Sequence, residues 1–133
     1  MRSIEYIPNG VCSKKMIVEC DDFEVITKVQ IVGGWIKTSQ YLLFVFLDKS
    51  SSYNEERDLM AIGAAIENFM LSAYDEGIGT CWLGGILSNT DEIWDIINFN
   101  DPDCLLKAVI TVGKYDDTNI IAKRKPLEDV LVK

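Results

Sequence analysis

The 133-residue chain contains no histidine. That absence removes the usual general base at neutral pH, the commonest metal ligand and every nucleophile–histidine pair. Cysteine is sparse. Cys12, Cys20, Cys81 and Cys104 include no C-x-x-C pair. Zinc sites need closely spaced ligands, so no metal is expected, and unpaired thiols fit a reducing compartment. Basic residues are outnumbered: 13 Lys and Arg face 21 Asp and Glu, a net charge of −8. Such a surface repels nucleic acid and anionic membranes, so neither is an expected partner. Long apolar runs are missing too. The longest, "YLLFVFL" at 41–47, is far short of the ~20 residues that cross a bilayer. The first residues show no signal-peptide pattern, so the expected location is cytoplasmic. What remains is an ordinary globular mix, long enough to bury a core as one domain over residues 1–133.

Periodicity places the elements. "FEVIT" at 23–27 alternates apolar and polar residues and reads as a short strand. "YLLFVFL" is continuous and aromatic, as in a strand buried on both faces. Asn54 is a candidate N-cap, with Glu55 and Glu56 in the first turn of a helix running to about Glu76. Ile62, Ile66, Phe69 and Ala73 form its apolar stripe, which Ala61, Ala64 and Ala65 would widen. Gly77 stands where a left-handed glycine ends a helix. Asn89 and Glu92 have capping-box spacing before "DEIWDII", a short helix turning Ile93, Ile96 and Ile97 inward. "LLKAVITVG" at 105–113 is the second strong strand, and "LEDVLVK" closes the chain as a short helix or strand. Strands separated by helices predict an α+β or α/β layered domain.

The stretch "AYDEGIGTCWLGGIL", residues 73–87, holds four glycines beside a tryptophan. Backbone groups at Gly77, Gly79, Gly84 and Gly85 would be open to close approach, since no Cβ shields them. Trp82 and Leu83 add flat and apolar surface, and Lys123, Arg124 and Lys125 form a basic cluster in an acidic chain. A planar ring with a phosphate would suit that combination. The plainer alternative is that the glycines are caps and turns, the tryptophan is core and the cations are solvated. No P-loop or dinucleotide fingerprint is present.

The residues at 58–87, "DLMAIGAAIENFMLSAYDEGIGTCWLGGIL", resemble the central helix and following loop of the nitroreductase family of flavoproteins. The family commonly shows a G-A-A-x-x-N helix core and then a G-[IL]-G-T-C-W-[IL]-G run. "YLLFVFLDKSSSYN" resembles the preceding strand and loop, and "KRKPLEDVLV" the basic, proline-containing C-terminal motif. The resemblance implies a mixed, mainly antiparallel sheet flanked by helices, in a homodimer with FMN at the interface. It implies that electrons from NADH or NADPH pass through the flavin to a nitroaromatic, quinone or similar small acceptor. No protein acid or base is then required as a catalytic residue, because the cofactor carries the redox chemistry.

Carried over residue by residue, Leu83 would lie against the flavin ring beside Trp82, and backbone N–H near Gly84 or Gly85 would face its N5 edge. Arg124, helped by Lys123 or Lys125, would hold the phosphate through paired hydrogen bonds. The family's opening R-R-S-[IV]-R segment also grips phosphate, and here Arg2, Ser3 and Ile4 match it while Met1 and Glu5 replace its outer arginines. The family's A-P-S-x-x-N-x-Q-P-W segment has no counterpart, so residues 1–34 would be a shortened, atypical part. Many relatives read W-L-G-E where this chain has Gly85 as the fourth residue. These departures sustain an alternative: a nitroreductase-fold protein with weak or no flavin binding that acts as a binding or structural module. Cys81, within the motif, reads as a small buried thiol rather than a nucleophile.

Overall fold

The structure is a computed structural model and describes residues 3–6, 13–19, 39–97, 99, 101–115 and 122–132. Five strands form one sheet: β1 (Ser3–Tyr6), β2 (Ser13–Glu19), β3 (Tyr41–Asp48), β4 (Gly79–Trp82) and β5 (Cys104–Gly113), in the order β1-β2-β3-β5-β4. Every described pairing is antiparallel. Helix α1 (Glu55–Asp75) covers one face. A 3-10 turn (Gly85–Asn89) and helix α2 (Thr90–Ile97) cover the other. The outcome is the expected α+β architecture.

β3 is central because it is apolar on both sides. Leu42, Phe44 and Phe46 join Ile86, Ile93, Ile97 and Val109 in one core. Leu43, Val45 and Leu47 join Ile62, Ile66 and Ile110 of the other. Alternation along a strand divides its side chains between the two faces, and each buried side chain contributes about 1.5–3 kcal/mol. Opposite β3, the register slips between Val45 and Phe46, leaving Lys107 as the extra residue of a bulge. Its ammonium reaches Glu55 Oε1 at 3.2 Å, tying β5 to the first turn of α1.

α1 begins and ends as its sequence dictates. Asn54 Oδ1 accepts a hydrogen bond from the Arg57 amide at 3.0 Å, and Glu55, Glu56 and Asp58 fill the first turn. Asp58, itself buried, accepts from Ser52 Oγ at 2.5 Å and so pins the incoming loop. Ile62, Ile66 and Ala73 are buried and Phe69 packs beside them. Ala64 is exposed, contrary to expectation, because 100° per residue carries it to the far side of the helix.

At the other end the Ile78 amide donates to Ala73 O (2.8 Å) and the Gly77 amide to Tyr74 O (3.0 Å), a Schellman pair. Gly77 has φ +73° and is the one positive-φ glycine among the described residues. Gly77→Ala should therefore cost about 1–2 kcal/mol, the penalty of placing a Cβ in the left-handed region. A thermal melt reads it directly, and an alanine variant as stable as the parent would contradict this account of the cap.

Three strands escaped the sequence reading. β1 and β2 lie in the mixed opening segment. β4 lies inside the glycine-rich stretch, so the expected loop is partly strand: Gly79 pairs with Gly113 and its backbone belongs to the sheet. A Cβ on Gly79 would come within 2.8 Å of Tyr115 Cβ, so a neighbouring side chain explains that glycine. Ile93 and Ile97 point inward as expected. The side chains of Ile96, Asn89 and Glu92 lie outside the described residues, as do the candidate strand at 23–27, Cys12 and Cys20. After Pro126, Leu127–Asp129 form a 3-10 turn on a wholly exposed tail. None of the described helices is long and apolar enough to cross a membrane.

Candidate functional site

The segment after β4 is built by the ladder and then released from it. The Leu83 amide donates to Val109 O at 2.9 Å, the last rung beside β5. Gly84 then turns into helical geometry (φ −75°, ψ −40°) and Gly85 opens the 3-10 turn. Both glycines are exposed, and a Cβ on either would meet no atom within 4 Å among the described residues. Any residue adopts such dihedrals. Nothing among the described residues therefore asks for glycine at 84 or 85, in contrast to Gly77 and Gly79. The open backbone fits the edge of a planar, polar ring brought in from outside, since its amides are not shielded by side chains.

Trp82 and Leu83 flank this backbone from opposite sides. Trp82 is in register with Ile110, on the α1 face, and is 41% exposed. Leu83 is half-buried against the other core, with Ile86 and Leu42. Alternation along the strand thus separates two side chains that the sequence places side by side. Leu83 shares a face with the 3-10 turn, and Trp82 does not.

The candidate phosphate groups are dispersed. Lys123, Arg124 and Lys125 are exposed in the irregular segment before Pro126. Ser3 lies in β1, at the sheet edge opposite β4, and Arg2 lies outside the described residues. Four interstrand spacings of ~4.8 Å separate the two edges by about 19 Å. Within one chain, Ser3 and the Leu83–Gly85 segment do not meet.

A separate cavity of about 390 Å³, which the sequence did not announce, opens at the start of β4. Tyr74 and Tyr115 stack beside it with ring centroids 6.1 Å apart. Thr80, Cys81 and Thr111 contribute to its lining, and Thr111 Oγ1 donates to Cys81 O at 3.4 Å. The Cys81 side is half-buried rather than buried.

The model of the Nitroreductase family matches residues 14–114. YfhC of Bacillus subtilis (strain 168), which bears the name of an NAD(P)H nitroreductase, is 28% identical over 89 residues. That match covers 67% of this chain and 45% of YfhC, so the chain spans less than half the length of this curated relative. A Desulfovibrio desulfuricans structure described as a nitroreductase in complex with FMN superposes with a TM-score of 0.83 at 23% identity, covering 97% of this chain and 76% of that one. The NfrA1 nitroreductase of B. subtilis gives 0.73 at 17% identity, over 92% of this chain and 57% of its own.

Proposed function

The chain belongs to the nitroreductase family, and from that premise we propose that it is a flavin-dependent oxidoreductase that uses FMN and works as a homodimer. The observation that carries this reading is the pair Gly84–Gly85, whose missing side chains the fold itself does not require. A bound FMN supplies transfer of two electrons from NADH or NADPH to a small acceptor such as a nitroaromatic or quinone. The chain's own residues hold and shape that site. Leu83 offers an apolar contact to the ring face. The amides near Gly84 and Gly85 donate toward the ring edge, where a fixed dipole favours the added negative charge. Arg124, with Lys123 and Lys125, holds the phosphate by charge-assisted hydrogen bonds. Ser3 and Arg2 belong to the same phosphate grip in this reading. Ser3 lies about 19 Å from the loop of its own chain, so a flavin touching both is held between two copies.

Purified protein should be yellow, or become so with added FMN, and should then oxidise NADH or NADPH in the presence of a quinone. Protein that stays colourless with excess FMN would leave the scaffold-only alternative standing. The glycines give a sharper test. Gly84→Ala and Gly85→Ala should leave the melting temperature unchanged or slightly raised, because neither new Cβ meets a neighbour. FMN affinity should fall about tenfold or more, a loss of roughly 1.4 kcal/mol. Unchanged FMN binding in both variants would remove the loop from the site.

A further inference from the structure

The cavity at the start of β4 has no role in the flavin loop, and three separate segments build it. The Schellman turn at Gly77 sends the chain from α1 directly into β4, so Tyr74 stands beside the first residues of that strand. β5 ends at Gly113, paired with Gly79, and so delivers Tyr115 to the same place. The missing side chain of Gly79 lets Tyr115 close onto β4, since a Cβ there would lie 2.8 Å from Tyr115 Cβ. The two rings, 68% and 43% exposed, stack with centroids 6.1 Å apart. Rings this open in the wall of a cavity offer their faces to another ring. The remaining wall is polar in one sense. Thr111 is 6% exposed, and its hydroxyl, which donates to Cys81 O at 3.4 Å, keeps lone pairs that accept from a ligand. Ser39 and Thr80 bring further hydroxyls. Lys114 is exposed and forms no ion pair with another described residue. The chain carries 21 acidic residues, yet no carboxylate is among the described residues that line the cavity.

We propose that this cavity binds an adenylate group. The adenine ring lies against Tyr74 and Tyr115, its amino group and ribose meet the hydroxyls, and its phosphate meets Lys114. A ring platform, hydroxyls and one cation match a base, a sugar and a phosphate in that order, and base–aromatic stacking is the largest contact. The volume agrees: about 390 Å³ lies within the range of about 300–1,000 Å³ usual for small-molecule sites. Cys81 lines the cavity and precedes Leu83 by two residues, about 7 Å along the strand. That nearness, which rests on the flavin reading for its meaning, makes the adenine half of an NADH or NADPH donor one source of the group. A free adenine nucleotide is the other. The proposal also gives Gly79 a purpose beyond the sheet, because it seats the Tyr115 platform against the backbone.

Calorimetric titration of AMP into the whole chain, with excess FMN present, tests the site without turnover. AMP should bind, and adenosine more weakly. Tyr115→Ala should weaken AMP about tenfold or more, and Tyr115→Phe should keep most of the affinity because the ring remains. Lys114→Ala should bring AMP down toward adenosine and leave adenosine unchanged. Both side chains are exposed, so far-UV circular dichroism should not move. Donor kinetics then identify the source. If the group belongs to the donor, Tyr115→Ala raises KM for NADH far more than for reduced nicotinamide mononucleotide, which lacks adenine. If a free nucleotide is the ligand, Tyr115→Ala weakens AMP and changes neither KM. AMP that fails to bind, AMP that binds both alanine variants as tightly as the parent, or equal kinetic losses with the two donors would each overturn the proposal. Yellow protein that ignores AMP removes this site alone. Colourless protein that binds AMP through Tyr115 and Lys114 removes the flavin reading alone, and leaves the free nucleotide as the ligand.

Discussion

Phe46→Ala should unfold a large fraction of this protein's stability, by about 3–5 kcal/mol. Phe46 is 1% exposed in the central strand, and its ring meets those of Trp94 at 5.3 Å and Phe99 at 5.2 Å. Trp94 and Phe99 themselves stack at 5.6 Å. The three rings join β3 to α2 and to the chain that leads into β5. Removing the middle ring takes away its transfer free energy and leaves a cavity bounded by a sheet and a helix that cannot both move inward. It also removes two aromatic pairs, each worth about 0.5–1.5 kcal/mol beyond area. Domains of this size are stable by only about 5–15 kcal/mol, so the loss is about a fifth of the total or more. Urea unfolding should show the midpoint falling with little change in slope. Tyr53→Ala is the control: that ring is 77% exposed and its loss should change stability by less than about 0.5 kcal/mol. A Phe46 variant within about 1 kcal/mol of the parent would mean that α2 is not packed on the sheet as described.

The same packing explains what the sequence could and could not disclose. β3 and β5 were legible because burial on both faces leaves a continuous apolar run, and α1 because its stripe, its Asn54 cap and its Gly77 terminus are local signals. β2, "SKKMIVE", carries two lysines within one strand of the sheet and has no such run. β4, "GTCW", is four residues long, and its glycine looks like loop punctuation. It is a strand because β5 offers it a free edge and because Tyr115 occupies the space of a Cβ at Gly79, and both causes are far away in sequence. At the candidate site the sequence marked a segment and left its sidedness hidden. Trp82 and Leu83 are adjacent letters on opposite faces, which only the pairing of Trp82 with Ile110 reveals. Likewise, the sequence marked Gly77 as a helix-ending glycine but could not separate the other three, which divide by cause: a close neighbour at 79, and no demand from the described residues at 84 and 85.

Arg124→Ala should lower affinity for FMN by about 10- to 150-fold, the equivalent of one charge-assisted hydrogen-bonding group worth roughly 1.5–3 kcal/mol. The expectation rests on the proposed phosphate role and on the residue's setting. Arg124 is exposed in an irregular segment and forms no ion pair with another described residue. In a chain of net charge −8, a guanidinium with no carboxylate partner among the described residues can turn its hydrogen-bonding fork to an incoming anion. For the same reason its removal should leave the melting temperature within the range of ordinary surface substitutions, about ±0.5 kcal/mol. Comparing FMN with riboflavin isolates the phosphate, because the two share the ring. The parent should prefer FMN, and Arg124→Ala should erase most of that preference while riboflavin affinity holds. Arg124→Lys should keep part of it, since an ammonium supplies the charge without the paired geometry. The parent's FMN affinity should also fall with added salt, and the variant's less so. Equal losses for FMN and riboflavin would place Arg124 at the ring or in the fold instead of at the phosphate. No loss for either would detach the C-terminal basic cluster from the site, leaving Leu83, Gly84 and Gly85 as the part of it that this chain supplies.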